Sequence, residues 1–285
     1  MISKLRHYIA FTKPGISRAQ ILTVSIGYFL ASQSINLQPI YWYLLVATYC
    51  FSSASCGLNN MLEYNFDAKM LRTQKRALVT KDISYVEAGI VVFLNLVVAV
   101  FFVLKINLMT FFVSVLTALI YVGVYTPMKR VSWLNTYVGA IPGALPLLGG
   151  WVATGSPIHL AVVSLFLTLF CWQIPHFFAL SIMYFDEYKA ANFRMLPNQS
   201  GGIKATKRQM IIFTILMIIS SVYPALIGFL GMVYFFGVIV LSGVFLFFIL
   251  RGMADLKKNA RKLFFLSIIY LPLWLLLILV DIVVS

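Results

Sequence analysis

The chain has 285 residues, of which 61% are apolar and only 11% are charged. A water-soluble domain cannot bury so large a share of apolar side chains, so the composition excludes an ordinary soluble fold and predicts an integral membrane protein. The formal net charge of +14 would suit a nucleic-acid-binding protein, but the positions of the basic residues argue against a nucleic-acid partner and favour a membrane topology.

Apolar segments of about 20 residues, the length that crosses a bilayer as an α-helix, recur along the chain. Backbone groups in hydrocarbon have no water to bond, so runs of this length are expected to be helical. We predict an all-α fold of nine transmembrane helices, in a single membrane domain of residues 1–285, around a central cavity that opens toward the cytoplasm. The predicted spans are 16–34, 40–61, 85–104, 107–126, 134–154, 159–183, 209–228, 232–250 and 263–283.

The basic residues follow the predicted spans. With the N-terminus in the cytoplasm, every lysine and arginine except Lys105 lies on the cytoplasmic side, as the positive-inside rule requires. This predicts a multi-pass protein of the cell membrane with its C-terminus outside. No small-residue cleavage site follows a short apolar core near the N-terminus, so the first span is expected to remain. The three cysteines have no metal-ligand spacing and are interpreted as packing residues.

A polar stack follows the second predicted span. Asn59, Glu63 and Asp67 are spaced i, i+4 and i+8, so a helix would place them on one face, about 6 Å apart along its axis. Carboxylate and amide oxygens are hard ligands that hold Mg²⁺ and leave positions for phosphate. Cations that could pair with phosphate oxygens follow directly: Lys69, Arg72, Lys75 and Arg76. The alternative is a capped helix end followed by a solvated basic loop.

A second polar intrusion lies inside the sixth predicted span. Gln173 and His176 need partners in hydrocarbon or must line a cavity, and Pro175 between them is expected to kink the helix. A packing histidine is the alternative interpretation. Asp186 and Glu187 then bring acids to the same membrane edge as the first stack. The second and sixth spans therefore look like related halves that face one cavity.

These residues resemble the UbiA-type intramembrane prenyltransferases. The first signature of that superfamily, Asn-Asp-x-x-Asp-x-x-x-Asp, is present as Asn59-Asn60-x-x-Glu63-x-x-x-Asp67, so two family acids are replaced by residues that keep oxygen donors. Within the superfamily the chain resembles the protohaem IX farnesyltransferases along nearly its full length. The resemblance rests on Thr12-Lys13-Pro14-Gly15, Asn59 to Met70, Arg72-Thr73, Arg76, Tyr125-Thr126-Pro127, Lys129-Arg130, Gly139 to Pro146, Trp172 to Phe177, Asp186-Glu187-Tyr188, Ala190-Ala191-Asn192 and Met195-Leu196-Pro197.

The resemblance implies roles for particular residues. It implies Mg²⁺ at Asn59, Asn60, Glu63, Asp67 and Asp186, and diphosphate binding by Lys13, Arg72, Arg76, Tyr125 and Lys129. The sequence Gln-x-Pro-His stands where the superfamily usually has Asp-x-x-x-Asp, which favours a haem acceptor over an aromatic one. It makes Gln173 and His176 candidates for haem binding, and His176 also a candidate catalytic residue beside Asn59, Glu63, Asp67 and Asp186.

The implied reaction transfers farnesyl from farnesyl diphosphate to a vinyl group of protohaem IX (haem B), giving haem O, with Mg²⁺ as cofactor. The implied partners are these two substrates, the lipid bilayer and a haem-processing enzyme. Two rivals stay open. One is a prenyltransferase of the same fold that acts on a quinone, chlorophyll or phenolic precursor, and the other is a transporter whose broken sixth helix lines a substrate path.

Overall fold

The computed structural model describes residues 2–35 and 37–284, with side chains from Lys4 onward. The secondary structure of that part of the chain is helical throughout, without strands, which confirms the predicted all-α class. Its helices are α1 (Ile2–Phe11), α2 (Pro14–Ser32), α3 (Pro39–Leu62), α4 (Tyr64–Asp67), α5 (Tyr85–Leu104), α6 (Leu108–Ala118), α7 (Thr126–Met128), α8 (Asn135–Ala153), α9 (Leu160–Met183), α10 (Phe185–Ala190), α11 (Gly202–Leu226), α12 (Met232–Gly252) and α13 (Leu256–Val284).

Seven helices of the described ranges are long and apolar enough to cross a membrane, which makes the chain a multi-pass membrane protein. One of them is the continuous helix Leu108–Met128, in which a π-helical segment, Leu119–Tyr125, joins α6 to α7. The first two predicted spans form α2 and α3, with 19 and 24 residues. Helices α2 and α3 are not among these seven, because they carry more polar side chains. The count of nine spans therefore stays a prediction.

Helices α11 and α13 begin about two turns before the spans that were predicted for them. The structure starts α11 at Gly202 rather than at 209, and α13 at Leu256 rather than at 263. Lysine and arginine are good helix formers. The basic residues that mark the membrane edge therefore continue the helix instead of forming a loop. The short helices α1 and α10 had not been predicted either.

Helices α2 and α8 pack backbone against backbone at two glycines. A Cβ atom on Gly27 would lie 2.0 Å from the carbonyl oxygen of Leu147, and one on Gly150 would lie 2.0 Å from that of Val24. Any larger residue must therefore push the helices apart. Small residues at helix crossings allow this close approach in membrane proteins, and the crossing fixes one wall of the central cavity described below.

We expect Gly150→Ala to lower the free energy of unfolding by about 2 kcal/mol, because the added methyl group overlaps a backbone carbonyl. Gly149→Ala is the matched control, since a Cβ there would meet only the Val113 side chain at an ordinary 3.6 Å. Thermal unfolding of both variants in detergent measures the difference. Equal unfolding temperatures would show that the α2–α8 crossing is not as tight as described.

The segments that connect the helices pack together at one end of the bundle. The Arg130 guanidinium donates to the carbonyl oxygen of Leu62 over 3.0 Å, and the backbone N–H of Arg194 donates to the carbonyl oxygen of Lys129 over 2.7 Å. These bonds join the end of α3 to the segments that follow α7 and α10. The segments were predicted to share one membrane side from their basic residues, and the contacts between them fit that arrangement.

Asp281 stabilises the opposite end of the bundle. Its carboxylate accepts hydrogen bonds from the backbone N–H groups of Gly231 at 2.6 Å and Tyr234 at 3.0 Å, and only 2% of the residue is exposed. The first N–H groups of a helix have no partner within that helix. A carboxylate on α13 therefore caps the start of α12, which accounts for an acid at the outer end of the last predicted span.

Candidate active site

A central cavity of about 680 Å³ lies between α2, α3, the helix Leu108–Met128, α8, α9 and α13. One end is polar, with three oxygen-bearing side chains and several cations in its wall. The remainder is mostly apolar and aromatic. The apolar lining includes Leu44, Phe51, Pro146, Leu169, Trp172, Phe177, Phe264 and Leu275. The cavity therefore has the character required by a ligand with a charged head and a hydrophobic tail.

The polar stack predicted from sequence forms part of this cavity. Asn59, Glu63 and Asp67 all line it, with 1%, 4% and 2% of each residue exposed. Glu63 is the junction between α3 and α4, yet the helical hydrogen bonds continue through it. The Glu63 N–H donates to the Asn59 carbonyl, and the Asp67 N–H donates to the Glu63 carbonyl. The i, i+4, i+8 spacing therefore keeps the three side chains on one side.

Each member of the stack contacts its own cation. Lys13 Nζ donates to Asn59 Oδ1 over 2.8 Å, and Lys129 Nζ donates to Glu63 Oε1 over 2.8 Å. Arg76 forms an ion pair with Asp67 Oδ2. Within the described part of the chain, Glu63 Oε2 and Asp67 Oδ1 have no hydrogen-bond partner. Each carboxylate can therefore offer one oxygen to a ligand.

Burial and the proximity of these charges shift the pKa values of the side chains. Burial, together with the nearby Arg76 guanidinium, lowers the pKa of the Lys13 ammonium to about 7. Burial also disfavours the charged forms of Lys129 and Glu63, but each is stabilised by the other. The pKa of Lys129 therefore lies above its ordinary value and the pKa of Glu63 below it. The pair is ionised at neutral pH.

The backbone of Lys13 adopts a conformation that few residues other than glycine accept. Its φ of 51° and ψ of 62° lie in the left-handed region, at the turn between α1 and α2. This conformation costs a residue with a Cβ atom roughly 1–2 kcal/mol. Such strain tends to be kept where a side chain must be held in place for function. Here it accompanies the bond from Nζ to Asn59.

We expect Lys13→Gly to be more stable than Lys13→Ala by about 1 kcal/mol, because only glycine adopts the left-handed conformation without strain. Both variants lack the ammonium group, so the comparison isolates the backbone. Chemical unfolding in detergent measures the stability difference. An alanine variant as stable as the glycine variant would show that the turn relaxes without strain.

The π-helical segment shapes the wall beside Lys129. Tyr121 and Tyr125 stack with ring centroids 5.7 Å apart, and both line the cavity. Lys129 Nζ lies 4.6 Å from the centre of the Tyr125 ring. Thr126 Oγ1 donates to the Tyr121 carbonyl over 2.9 Å and accepts from Asn59 Nδ2 over 3.0 Å. Segments of this type are frequent at functional sites, and this one links α7 to the polar stack.

The second predicted intrusion also faces the cavity. Gln173 Nε2 donates to the carbonyl oxygens of Ala140 and Leu169, both at 3.1 Å, and its Oε1 occupies the space where Gly143 lacks a side chain. His176 lies one turn further along and also lines the cavity. Helix α9 runs from Leu160 to Met183 without interruption at Pro175, which removes the broken helix that a transporter interpretation required.

Two predicted metal ligands are not brought to the stack. Asp186 is exposed and is absent from the cavity wall. Asn60 points toward α1, where its Nδ2 donates to the Phe11 carbonyl, and it lines a separate cavity of about 240 Å³. Among the described residues no three histidine, cysteine, aspartate or glutamate side chains gather as a metal site. The central cavity thus has two carboxylates rather than three.

The predicted diphosphate-binding residues surround the polar end. Lys13, Arg72, Arg76, Tyr125 and Lys129 all line the central cavity. The first three of these also line the smaller cavity, so their side chains separate the two spaces. The Arg72 backbone N–H donates to Glu187 Oε2 over 2.9 Å. Glu187 therefore helps to hold the basic loop in place, and neither it nor Asp186 lines the cavity.

Sequence reasoning missed two residues that line the cavity, Tyr121 and Cys56, and two that form hydrogen bonds with lining side chains, Thr126 and Ser267. Tyr121 and Cys56 lie in apolar spans, and nothing in their spacing marks them. Ser267 lies on α13, 91 positions from the histidine side chain that it contacts. Only a three-dimensional structure joins residues so far apart. Thr126 could have been found, because it stands between Tyr125 and Pro127 in a segment that the family resemblance had already marked.

Comparisons with known proteins agree with this fold. The chain matches the profile of the UbiA prenyltransferase family over residues 21–275. A protoheme IX farnesyltransferase of Francisella tularensis is 33% identical over 264 residues, covering 91% of this chain and 92% of the relative. One from Koribacter versatilis is 32% identical over 292 residues, covering 98% and 94%. These relatives confirm the resemblance predicted from the sequence.

Solved structures share the fold. The structure of a digeranylgeranylglyceryl phosphate synthase superposes with a TM-score of 0.83 at 18% identity, covering 99% of this chain and all of that one. A UbiA homologue from Archaeoglobus fulgidus bound to GPP and Mg²⁺ gives 0.67 at 16% identity, covering 95% and 99%. The chain belongs to the UbiA prenyltransferase family, and the prediction that it is a prenyltransferase enzyme is confirmed.

Proposed function

We propose that this enzyme transfers the farnesyl group of farnesyl diphosphate to a vinyl group of haem B and so produces haem O. The observation that carries the proposal is the two-ended cavity, in which Lys13, Glu63 and Asp67 line one end and Gln173 and His176 line the other part. The curated relatives that cover more than nine-tenths of the chain are named for this reaction. A charged head group and an acceptor would thus meet in one chamber.

The charged end suits a diphosphate. Lys13, Arg76 and Lys129 place three cationic groups in the wall, and Arg72 adds a fourth. Positive groups around a leaving diphosphate stabilise the negative charge that develops on it as the C–O bond breaks. Arg76 and Lys129 are held by Asp67 and Glu63, so their positions are fixed before a substrate binds.

The donor set also fits Mg²⁺. Glu63 and Asp67 each have one carboxylate oxygen without a protein partner in the described ranges, and Asn59 adds an amide oxygen. Hard oxygen donors of this kind suit Mg²⁺, which keeps waters and binds substrate phosphates. When bound there, the ion would supply positive charge that makes diphosphate a better leaving group.

The apolar part of the cavity protects the reactive carbon chain. Leu44, Phe51, Leu169, Trp172 and Leu275 offer an apolar wall that excludes water from an allylic cation. The C–O bond to diphosphate breaks, and diphosphate keeps the electron pair. The vinyl double bond then forms the new C–C bond, and water adds to the cation next to the porphyrin and loses a proton. The product carries a hydroxyethylfarnesyl group.

The topology that we propose follows the basic residues. The segments after α3, α7 and α10 contact one another at the polar end of the cavity. We assign this end, with the N-terminus, to the cytoplasmic side of the cell membrane and the C-terminus to the outside. Water-soluble pyrophosphate would then leave on the cytoplasmic side.

The test is mass analysis of haems extracted after the purified enzyme is incubated with haem B and farnesyl diphosphate. We expect a product whose mass equals haem B plus one farnesyl group plus one hydroxyl group. A parallel reaction offers an aromatic acid in place of haem B. Prenylation of the aromatic acid alone would contradict the haem assignment.

We also expect removal of divalent metal by a chelator to stop the reaction, and Mg²⁺ to restore it. The physical reason is that the diphosphate oxygens need more positive charge than Lys13, Arg72, Arg76 and Lys129 supply while Glu63 and Asp67 neutralise two of these cations. Turnover by the same assay measures the effect. Full turnover after chelation would contradict the metal assignment.

A further inference from the structure

We propose that His176 binds the iron of the haem substrate through its Nε2 atom, and that Ser267 orients the histidine ring for this role. The inference rests on the proposed function, since it takes haem B as the acceptor. It adds an anchoring point for the porphyrin that is separate from the diphosphate end of the cavity.

Ser267 fixes the tautomer of the histidine. Its Oγ lies 2.6 Å from the Phe264 carbonyl oxygen and 2.8 Å from His176 Nδ1. A carbonyl oxygen only accepts, and two oxygens at 2.6 Å need a hydrogen between them, so the hydroxyl must donate to Phe264. The hydroxyl has no second hydrogen, and therefore Nδ1 must carry the proton and donate to Ser267. In the neutral ring, Nε2 then has a free lone pair.

The ring plane is also held. His176 is stacked between Trp172, with ring centroids 5.1 Å apart and an interplanar angle of 20°, and Phe264, at 4.8 Å and 27°. Trp172 Nε1 donates to the Ser267 carbonyl over 3.1 Å. One residue on α13 thus anchors both the histidine and the tryptophan beside it. The ring can neither flip nor tilt without breaking these contacts.

Nε2 is the atom left for a ligand. His176 lines the central cavity, and no described residue forms a hydrogen bond with its Nε2. An imidazole whose second nitrogen donates to an oriented acceptor is the usual form of a histidine metal ligand. Imidazole nitrogen is also the common protein ligand of haem iron. The orientation by Ser267 and the Nε2 lone pair of a residue in the cavity wall together favour iron ligation over packing alone.

The chain contains its own matched control. His159 is also stacked on a tryptophan and a phenylalanine, Trp151 and Phe229. Its Nδ1, however, accepts a hydrogen bond from the Ala161 N–H and caps α9, and the residue is not part of the cavity wall. An asparagine at this position would keep the cap. Replacing His159 therefore removes a similar stacked ring without touching the proposed site.

The experiment titrates the full-length protein in detergent with ferric haem B, without farnesyl diphosphate, and records absorption and electron paramagnetic resonance spectra. We expect a nitrogen-ligated haem in the unaltered protein and in His159→Asn. His176→Ala should lose that signature and bind haem at least 10-fold more weakly, and added imidazole should restore the signature. Because imidazole also ligates free haem in detergent, the rescue is measured on haem that co-elutes with the protein, and elution as one species shows that the variant is folded.

Ser267 variants test the positioning role. Ser267→Ala removes the acceptor of Nδ1 and should weaken haem binding about 10-fold, the lower end of the effect of removing the partner of a metal-bound histidine. Ser267→Thr keeps the hydroxyl and should retain the signature. A spectrum that His176→Ala leaves unchanged overturns the ligand assignment but keeps haem as the acceptor. Failure of the unaltered protein to bind haem overturns the acceptor assignment, and the ligand assignment with it.

Discussion

Asp67→Asn should lower farnesyl transfer about 100-fold or more. The substitution keeps the size of a side chain that is 2% exposed, but it removes the charge that faces Arg76 and the free oxygen that we assign to the metal. Loss of a single preorganised electrostatic group at a reacting centre commonly costs 10²–10³-fold in turnover. The haem product, quantified by mass analysis at saturating substrate, measures the loss.

The matched control is Asp255→Asn. Asp255 is an exposed acid whose Oδ1 accepts a hydrogen bond from the Lys258 N–H at the start of α13. Asparagine caps a helix about as well as aspartate, so this variant should fold and turn over normally although the chemical change is identical. The Asp67→Asn variant is measured in a preparation that elutes as one species. If its turnover stays within a few-fold of that of the unaltered enzyme, the assignment of Asp67 to the site is contradicted.

Much of the polar stack could be predicted from sequence because the interaction is local. Asn59, Glu63 and Asp67 are separated by single helical turns, and the helix preserves that geometry even where α3 gives way to α4 at Glu63. The same reasoning failed for Asp186. It stands close in sequence to the end of α9, but its direction depends on how the following short helix packs, which no periodic pattern encodes.

The contacts that cross between distant helices could not be predicted. Lys129 and Glu63 are 66 positions apart, and His176 and Ser267 are 91 apart. An apolar helix with one serine gives no indication of which side chain that serine will meet. Positive charges in the connecting segments did indicate their common side, since membrane topology acts on the whole chain. The pairing of each cation with one oxygen needed the folded structure.

Single and double substitutions of the buried pair Glu63–Lys129 should affect stability and activity differently. Glu63→Gln leaves the Lys129 ammonium, whose side chain is 13% exposed, without its carboxylate, and Lys129→Met leaves the carboxylate without its ammonium. Breaking a buried ion pair by removing one partner costs roughly 3–5 kcal/mol. We therefore expect each single variant to unfold at clearly lower denaturant concentration than the unaltered protein in detergent.

The double variant should behave differently, because it leaves neither charge unpaired. Replacing both members of a buried pair is often close to neutral, so the double variant should recover most of the lost stability. It should be more stable than either single variant, so the coupling free energy in the cycle should exceed the cost of one single substitution, about 3 kcal/mol. It should nevertheless stay inactive, since the oxygen of Glu63 and the cation of Lys129 are both missing from the cavity wall. A double variant that loses the sum of the two single effects would show that the pair is not coupled. One that regains turnover would show that the pair serves only the fold, and the charged end of the cavity would then have to act through Lys13, Arg76 and Asp67 alone.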